Sequence, residues 1–208
     1  MSKISFPDFW KYYKATPNQM EAIVLLESQL PISLLSEDAA WVKKYREPES
    51  VPNFETVVPD AALDIIADFE GFVPTVYDDG VGVATIGYGS TFYLNGREVA
   101  WGDPPITKTE ARDMMENVCE KYFWDVICCE LPYWEDMNDN QRSALCSFAY
   151  NLGAYFYGSP GFNTISGCLR EKRWDDIPAA LMLYVNPGSA VEAGSTRRRK
   201  AEGELWIA

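Results

Sequence analysis

Apolar residues recur along most of this chain at helical spacing. After Pro59, "DAALDIIADFEG" places Leu63, Ile66 and Phe69 on one stripe, flanked by Ala62 and Ile65. Asp60 is positioned to cap this helix and Gly71 to end it. Upstream, "TPNQMEAIVLLESQL" opens with Thr16, Pro17 and Gln19, the pattern of a capping box with proline at the first helical position. Met20, Ile23 and Val24 share a face of that helix, which should stop before Pro31. "SEDAAWVKKYRE" predicts a second short helix, capped at Ser36. The two prolines of "PESVPNF" then mark a linker. The chain is thus expected to divide into a helical accessory segment, residues 1–52, and a main domain, residues 53–208.

The pattern changes after Gly71. "TVYDDGVGVATIGYG" is rich in β-branched residues and glycine, which predicts a small strand-and-turn unit. Asn95-Gly96, between short apolar runs, signals another hairpin. Helical spacing then returns. Thr107 and Glu110 form a capping box that opens a helix running towards Cys128. Asn138 and Gln141 form another, opening "DNQRSALCSFAYNLG", which should end at Gly153. "LREKRW", "DIPAALMLY" and "STRRRKAEGELW" complete the set. The order of elements predicts an α+β fold, mainly helical, with one small β unit.

Composition narrows the chemistry. The net charge is −13, and the one basic cluster is "RRRK", Arg197 to Lys200. An acidic chain is repelled by phosphate backbones, so no nucleic-acid partner is expected. No apolar run approaches the length needed to span a bilayer, and the N-terminus has no signal-like apolar centre, so neither membrane insertion nor export by the usual route is expected. The five cysteines form no C-x-x-C pair and histidine is absent. That argues against a metal site of the Cys/His kind and excludes His-dependent triads. The cysteines are read as reduced, mostly buried thiols. No cofactor is expected, and acid–base work falls to carboxylates.

Two carboxylates stand out. Glu70 ends a helix beside Phe69, and Asp79 follows nine residues later in a glycine-rich turn. A carboxyl shielded by apolar groups can carry a proton near neutrality, whereas one hydrated in a turn stays ionised. Two carboxyls in such contrasting settings meet the requirement for glycoside cleavage. Thr85, six residues beyond Asp79, supplies a hydroxyl able to hold a water. Composition alone leaves the ordinary reading open, because glutamates end many helices and Asp-Asp-Gly is a common turn.

The longer pattern resolves the choice. "FEG-x7-D-x2-G-x2-TIGYG" resembles the signature of the phage-type lysozymes of glycoside hydrolase family 24. "NQRSALCSFAYNLG", "REKRWDDIPAAL" and "GSTRRRKAEGELW" resemble later motifs of that family in the same order, so the likeness extends over residues 57 to 207. The resemblance implies a lysozyme-like two-lobe domain, with a small β-hairpin lobe and a helical lobe. It also implies a muramidase that cuts the β-1,4 bond between N-acetylmuramic acid and N-acetylglucosamine with inversion, causing bacterial lysis. Glu70, Asp79 and Thr85 have the family's spacing of its catalytic glutamate, aspartate and threonine. Tyr150 and Asn151 fall on the helix that lines the family's sugar cleft, a packed core aromatic being the alternative for Tyr150. The Arg197–Arg199 run is read as a helix surface with salt-bridge partners, one arginine being able to face the cleft.

The chain departs from the family pattern at three places. Ser90 follows "GYG" where histidine is usual, Asp78 sits beside Asp79, and Ser195 stands where the closing motif usually has leucine. Register assigns the catalytic role to Asp79. The acidity is a further departure, since many relatives are basic and wall polymers are often anionic. It points to a salty or weakly anionic setting, where the Debye length is short or the repulsion weak. The family resemblance implies peptidoglycan glycan strands as partner, a monomer, and accumulation in the host cytoplasm until a separate pore-forming protein (holin) gives access to the wall. The competing reading is a non-enzymatic cell-wall-binding or virion component on the same fold. The aromatics of residues 1–52 are assigned to packing rather than to glycan binding.

Overall fold

Residues 57–208 are described by the computed structural model; the helices and linker expected before residue 53 lie outside the described residues. Helix α1 runs Asp60–Glu70 and buries Ala62, Leu63, Ile65 and Ile66, the expected stripe. Its cap differs from expectation. Pro59 holds the N-cap position and makes no side-chain cap bond. Asp60 is instead the first helical residue, and its carboxylate pairs with Arg112 at 2.8 Å, beside Asp64 at 2.7 Å from the same guanidinium. The ion pair with the neighbouring helix takes the carboxylate that a cap would use.

Strands β1 (Val73–Asp78) and β2 (Ala84–Gly87) form the antiparallel β unit. Tyr77 lies opposite Thr85 and Asp78 opposite Ala84, and the register shifts between Tyr77 and Val73, which faces Gly87. Ser90, at the usual histidine position, is buried and exchanges backbone hydrogen bonds with Ile86. At the expected Asn95-Gly96 turn, Asn95 Oδ1 accepts from the Arg97 amide and Phe92 bridges Glu98. This small lobe has its own apolar cluster of Ile86, Val99 and Met114, with Val76, Ala84, Tyr93 and Ile106 packed around it.

Helix α2 (Lys108–Cys119) joins the two lobes, and the Thr107–Glu110 capping box opens it as the sequence predicts. Met114 faces the small cluster, whereas Ala111, Met115 and Cys119 belong to the main core. The helix does not continue regularly to Cys128. A π-helical stretch, Glu120–Trp124, separates it from α3, Asp125–Glu130. The wider turn accompanies two aromatic contacts with the core: Trp124 meets Trp134 edge-on at 5.0 Å, and Phe123 lies 4.8 Å from Tyr150.

Helix α4 (Asp139–Leu152) is the centre of the large lobe. Its capping box is formed by Asn138 and Gln141, and all of Ser143 to Ala149 is buried. Continuous burial means that other elements cover it on several sides. Helices α5 (Asn163–Arg170), α6 (Ile177–Leu181) and α7 (Glu192–Ile207) complete the lobe. A 3-10 turn at Trp174–Asp176 precedes α6, and its Trp174 carbonyl accepts from the Trp206 indole at 3.0 Å. Cys119, Cys146 and Cys168 are buried thiols, but Cys128 is only partly covered and Cys129 is exposed.

The two lobes meet most closely where β2 touches α2. A Cβ on Gly87 would lie 2.9 Å from Ala111 Cβ, at a backbone φ of +69°. Gly96 has a similar φ of +80° with nothing within 4 Å of an added Cβ. Gly96→Ala is therefore expected to cost about 1–2 kcal/mol from backbone strain alone. Gly87→Ala is expected to cost a further 1–3 kcal/mol or so from overpacking. Denaturant midpoints of the two variants against the parent chain measure the difference.

Candidate active site

Glu70 is the last residue of α1, so its side chain leaves the helix where Gly71 turns the chain towards β1. Its Oε1 accepts a hydrogen bond from Arg198 Nη1 at 2.7 Å. The sequence places apolar groups beside Glu70; the structure adds a cation. Phe69 is the apolar neighbour, and its ring lies 5.4 Å from the Arg197 guanidinium and 5.5 Å from that of Arg198. Among the described residues no group bonds Glu70 Oε2, which leaves one carboxyl oxygen for chemistry.

The turn after β1 holds two interleaved carboxylates. Asp78 Oδ1 accepts from the amides of Gly80 at 2.7 Å and Gly82 at 2.9 Å. Asp79 Oδ1 accepts from the amides of Val81 and Val83, each at 3.0 Å. Gly80 and Gly82, at φ values of +96° and +90°, let successive amides alternate between the two acceptors. Burial, then Glu70, then Asp79 push the Tyr77 phenol above its ordinary range. Thr85 is paired with Tyr77 across the strands, and such opposite residues share a face. Thr85 is buried, and its hydroxyl donates to the Val83 carbonyl at 3.1 Å. With its hydrogen committed there, the hydroxyl presents lone pairs to a neighbour.

Behind Glu70 stands a buried charged cluster on α7. This corrects the expectation of a surface arginine run. Arg197 is exposed, but the side chains of Arg198 and Arg199 are only 6% and 0% exposed. Glu202, also fully buried, explains how they are tolerated. Its Oε1 accepts from Ser147 Oγ at 2.7 Å, Arg199 Nη2 at 2.9 Å and Arg198 Nε at 3.4 Å. Arg198 Nη2 also donates to the Ser147 carbonyl at 3.1 Å. Arg199 lies 4.7 Å above the Phe148 ring. Buried charges survive when paired and hydrogen-bonded. The pairing is incomplete, because among the described residues Glu202 Oε2 and Arg199 Nε and Nη1 have no partner. Burial pushes Glu202 up to about 7, against the downward pull of Arg199, Ser147 and Arg198. It pushes Arg199 down to about 10.

Of the two predicted sugar-binding residues, Tyr150 is partly buried against Phe123 and the main core. Burial, followed by Glu70, pushes its phenol well up, so it adjoins the acid while also packing as a core aromatic. Asn151 is exposed, and its Oδ1 accepts from Arg199 Nη2 at 3.0 Å. Sequence reasoning missed Arg198, Glu202 and Ser147 as neighbours of Glu70. The available signal was Glu202 at four and three residues after the two arginines, on a helix facing the small residues Ser143 and Ser147 of α4. Among the described residues no cluster of Cys, Asp or Glu is arranged to hold a metal ion.

The sequence and the fold have parallels among known proteins. Residues 67–202 match the model of the phage lysozyme family. The endolysin of Salmonella phage P22 is 30% identical over 132 residues, which span 63% of this chain and 85% of that protein. The crystal structure of a P22 lysozyme mutant superposes with a TM-score of 0.62 at 25% identity, covering 73% of this chain and 98% of the other. The active form of P1 phage endolysin shares the fold, with a TM-score of 0.56 at 22% identity over 81% of this chain and 92% of that one. The family match spans both the α1–hairpin cleft and the buried arginines of α7, and the chain belongs to the phage lysozyme family.

Proposed function

We propose that this lysozyme hydrolyses the β-1,4 bond between N-acetylmuramic acid and N-acetylglucosamine in peptidoglycan by inversion, with Glu70 as general acid and Asp79 and Thr85 as the water-binding pair. The observation that carries the assignment is the hairpin register, which sets Thr85 opposite Tyr77 beside the Asp78–Asp79 turn, in the strand pair entered directly from the helix that ends on Glu70. Arg198 fixes Glu70 Oε1, so Oε2 is the oxygen that carries the proton to the leaving group. On the opposite face of the sugar, a water donates one hydrogen to Thr85, whose own hydrogen is committed to Val83. Its other hydrogen goes to Asp79 Oδ2, since Oδ1 already serves two amides. The water attacks the anomeric carbon as the glycosidic bond breaks, Asp79 takes its proton, and Glu70 protonates the departing oxygen. Inversion requires room for that water, with the carboxyls roughly 6.5–9.5 Å apart.

Tyr150 and Asn151 are assigned to the sugar-facing side of α4, Asn151 through its exposed position. The non-enzymatic alternative is not favoured, because the family match and the endolysin relative support an enzyme. No helix of the described residues is long and apolar enough to cross a membrane. The enzyme is assigned to the host cytoplasm until a holin admits it to the wall, and is taken to act as a monomer. The catalytic unit is assigned to residues 53–208, with 1–52 an accessory segment.

Three tests follow from these assignments. Glu70→Gln keeps the shape and the bond to Arg198 but cannot donate a proton, so turnover of soluble wall glycans should fall by roughly 10²–10⁴-fold. Unchanged turnover with intact circular dichroism would remove Glu70 from the mechanism. Asp79→Asn should be similarly severe and Asp78→Asn mild; the reverse order would move the water-binding role by one residue. A chain beginning at Phe54 should retain turnover on soluble glycans; if residues 1–52 serve to cover apolar surface, its thermal midpoint should fall. An unchanged midpoint with weaker binding to intact wall would instead make residues 1–52 a glycan-binding segment.

A further inference from the structure

A general acid that is ion-paired to an arginine faces a conflict. The cation favours the carboxylate, yet the reaction needs the acid form. Arg198 is buried and Arg199 lies beside it, so little water screens either charge from Glu70. The compensating charge comes from Glu202. It reaches Arg198 Nε and Arg199 Nη2 with one oxygen, and it approaches from the side of Arg198 away from Glu70 Oε1.

Resting on the assignment of Glu70 as the acid, we propose that Glu202 is a positioning residue that acts through Arg198. Its carboxylate neutralises the paired arginines and so lets Glu70 retain the proton it must donate, while Ser147 fixes the Glu202 oxygen that does so. The charge count is simple. With Glu202 ionised, protonating Glu70 leaves the cluster at +1; without the Glu202 charge the same step leaves it at +2. The second arrangement is disfavoured in a buried site.

Glu202 itself is pushed up to about 7, so its compensating charge is present above that pH, on the alkaline side where the test is read. Few other groups can mask this effect. From α4, Cys146 and Tyr150 face the cluster, and burial with neighbouring groups pushes both up, so they stay neutral through the working range. From α2, Cys119 contributes a thiol 3.3 Å from Cys146. From β1, Tyr77 is likewise pushed up. From α6, Pro178 packs against Gly203 and brings no charge. Arg197 is exposed on the far side of Phe69 and screened by solvent. Asp79 is held by backbone amides and makes no bond to the cluster.

The test is the pH profile of soluble wall-glycan hydrolysis between pH 4 and 9, measured on the full chain. Glu202→Gln preserves shape and an acceptor oxygen. Its alkaline limb should move down by about half a pH unit or more, cutting the rate on that limb roughly threefold or more. The acid limb should stay in place. Arg199→Gln removes a positive charge and should move the alkaline limb up. The double variant restores the charge balance and should return the limb towards the parent position, although it alters two buried side chains. A cluster that is only structural would lower rates in all three variants without moving the limb, and that result overturns the proposal. If Glu202→Gln does not fold, the upward shift of Arg199→Gln decides alone. Glu70→Gln separates the two layers: activity in that variant would refute the acid assignment, whereas an inactive Glu70→Gln with unmoved limbs elsewhere would refute only the role of Glu202.

Discussion

The ion pair between Arg198 and Glu70 joins residues 128 positions apart and fixes where the Glu70 carboxylate sits. Several features of the large lobe accompany it. For Arg198 to reach Glu70, α7 must lie against both α1 and α4, and its guanidinium must pass through the core. A buried guanidinium needs acceptors, and Ser147 and Glu202 provide them from two helices. A second cation, Arg199, shares the same carboxylate and leaves atoms on both sides without partners among the described residues. Such a cluster gives up some stability relative to an apolar core of equal volume. Its retention fits a site in which charge placement matters more than maximal stability.

The hairpin side of the cleft solves the placement problem by different means. Asp78 and Asp79 are held by backbone amides contributed by the turn itself. No side chain from another element is needed, so the turn can form as a local unit. The acid side depends on long-range packing, whereas the water side depends on a short run of residues around two glycines. The lobes are tied through α2, which places Met114 in one apolar cluster and Met115 in the other.

This difference explains what could be read from the sequence. The hairpin, with Asp79 and Thr85 in it, and the capping boxes at Thr107 and Asn138 depend on neighbours within a few residues, and these were legible; Glu70 was legible only as the end of its helix, its partner Arg198 lying 128 positions away. The buried state of Arg198 and Arg199 was not. Three arginines and a lysine in succession look like a solvated face, and only the fold shows which faces α4. Asp60 misled for the same reason, since it is a good cap by type but is drawn away by Arg112 on another helix. The π-helical stretch at Glu120–Trp124 has no local signature, because it accompanies the packing of Trp124 and Phe123 on distant aromatics. Family resemblance proposed the site residues, while the reason for the buried arginines had to come from three dimensions.

The two carboxylates differ in what dissolved ions can reach: Glu70 pairs with a buried guanidinium, whereas Asp79 is held by amides of an exposed turn. Electrolyte therefore acts on the two sides of the site to different degrees, screening the turn that carries Asp79 far more than the pair at Glu70. Ionic strength becomes a probe that separates the two carboxylates, one bathed in the ionic atmosphere and the other largely sheltered from it.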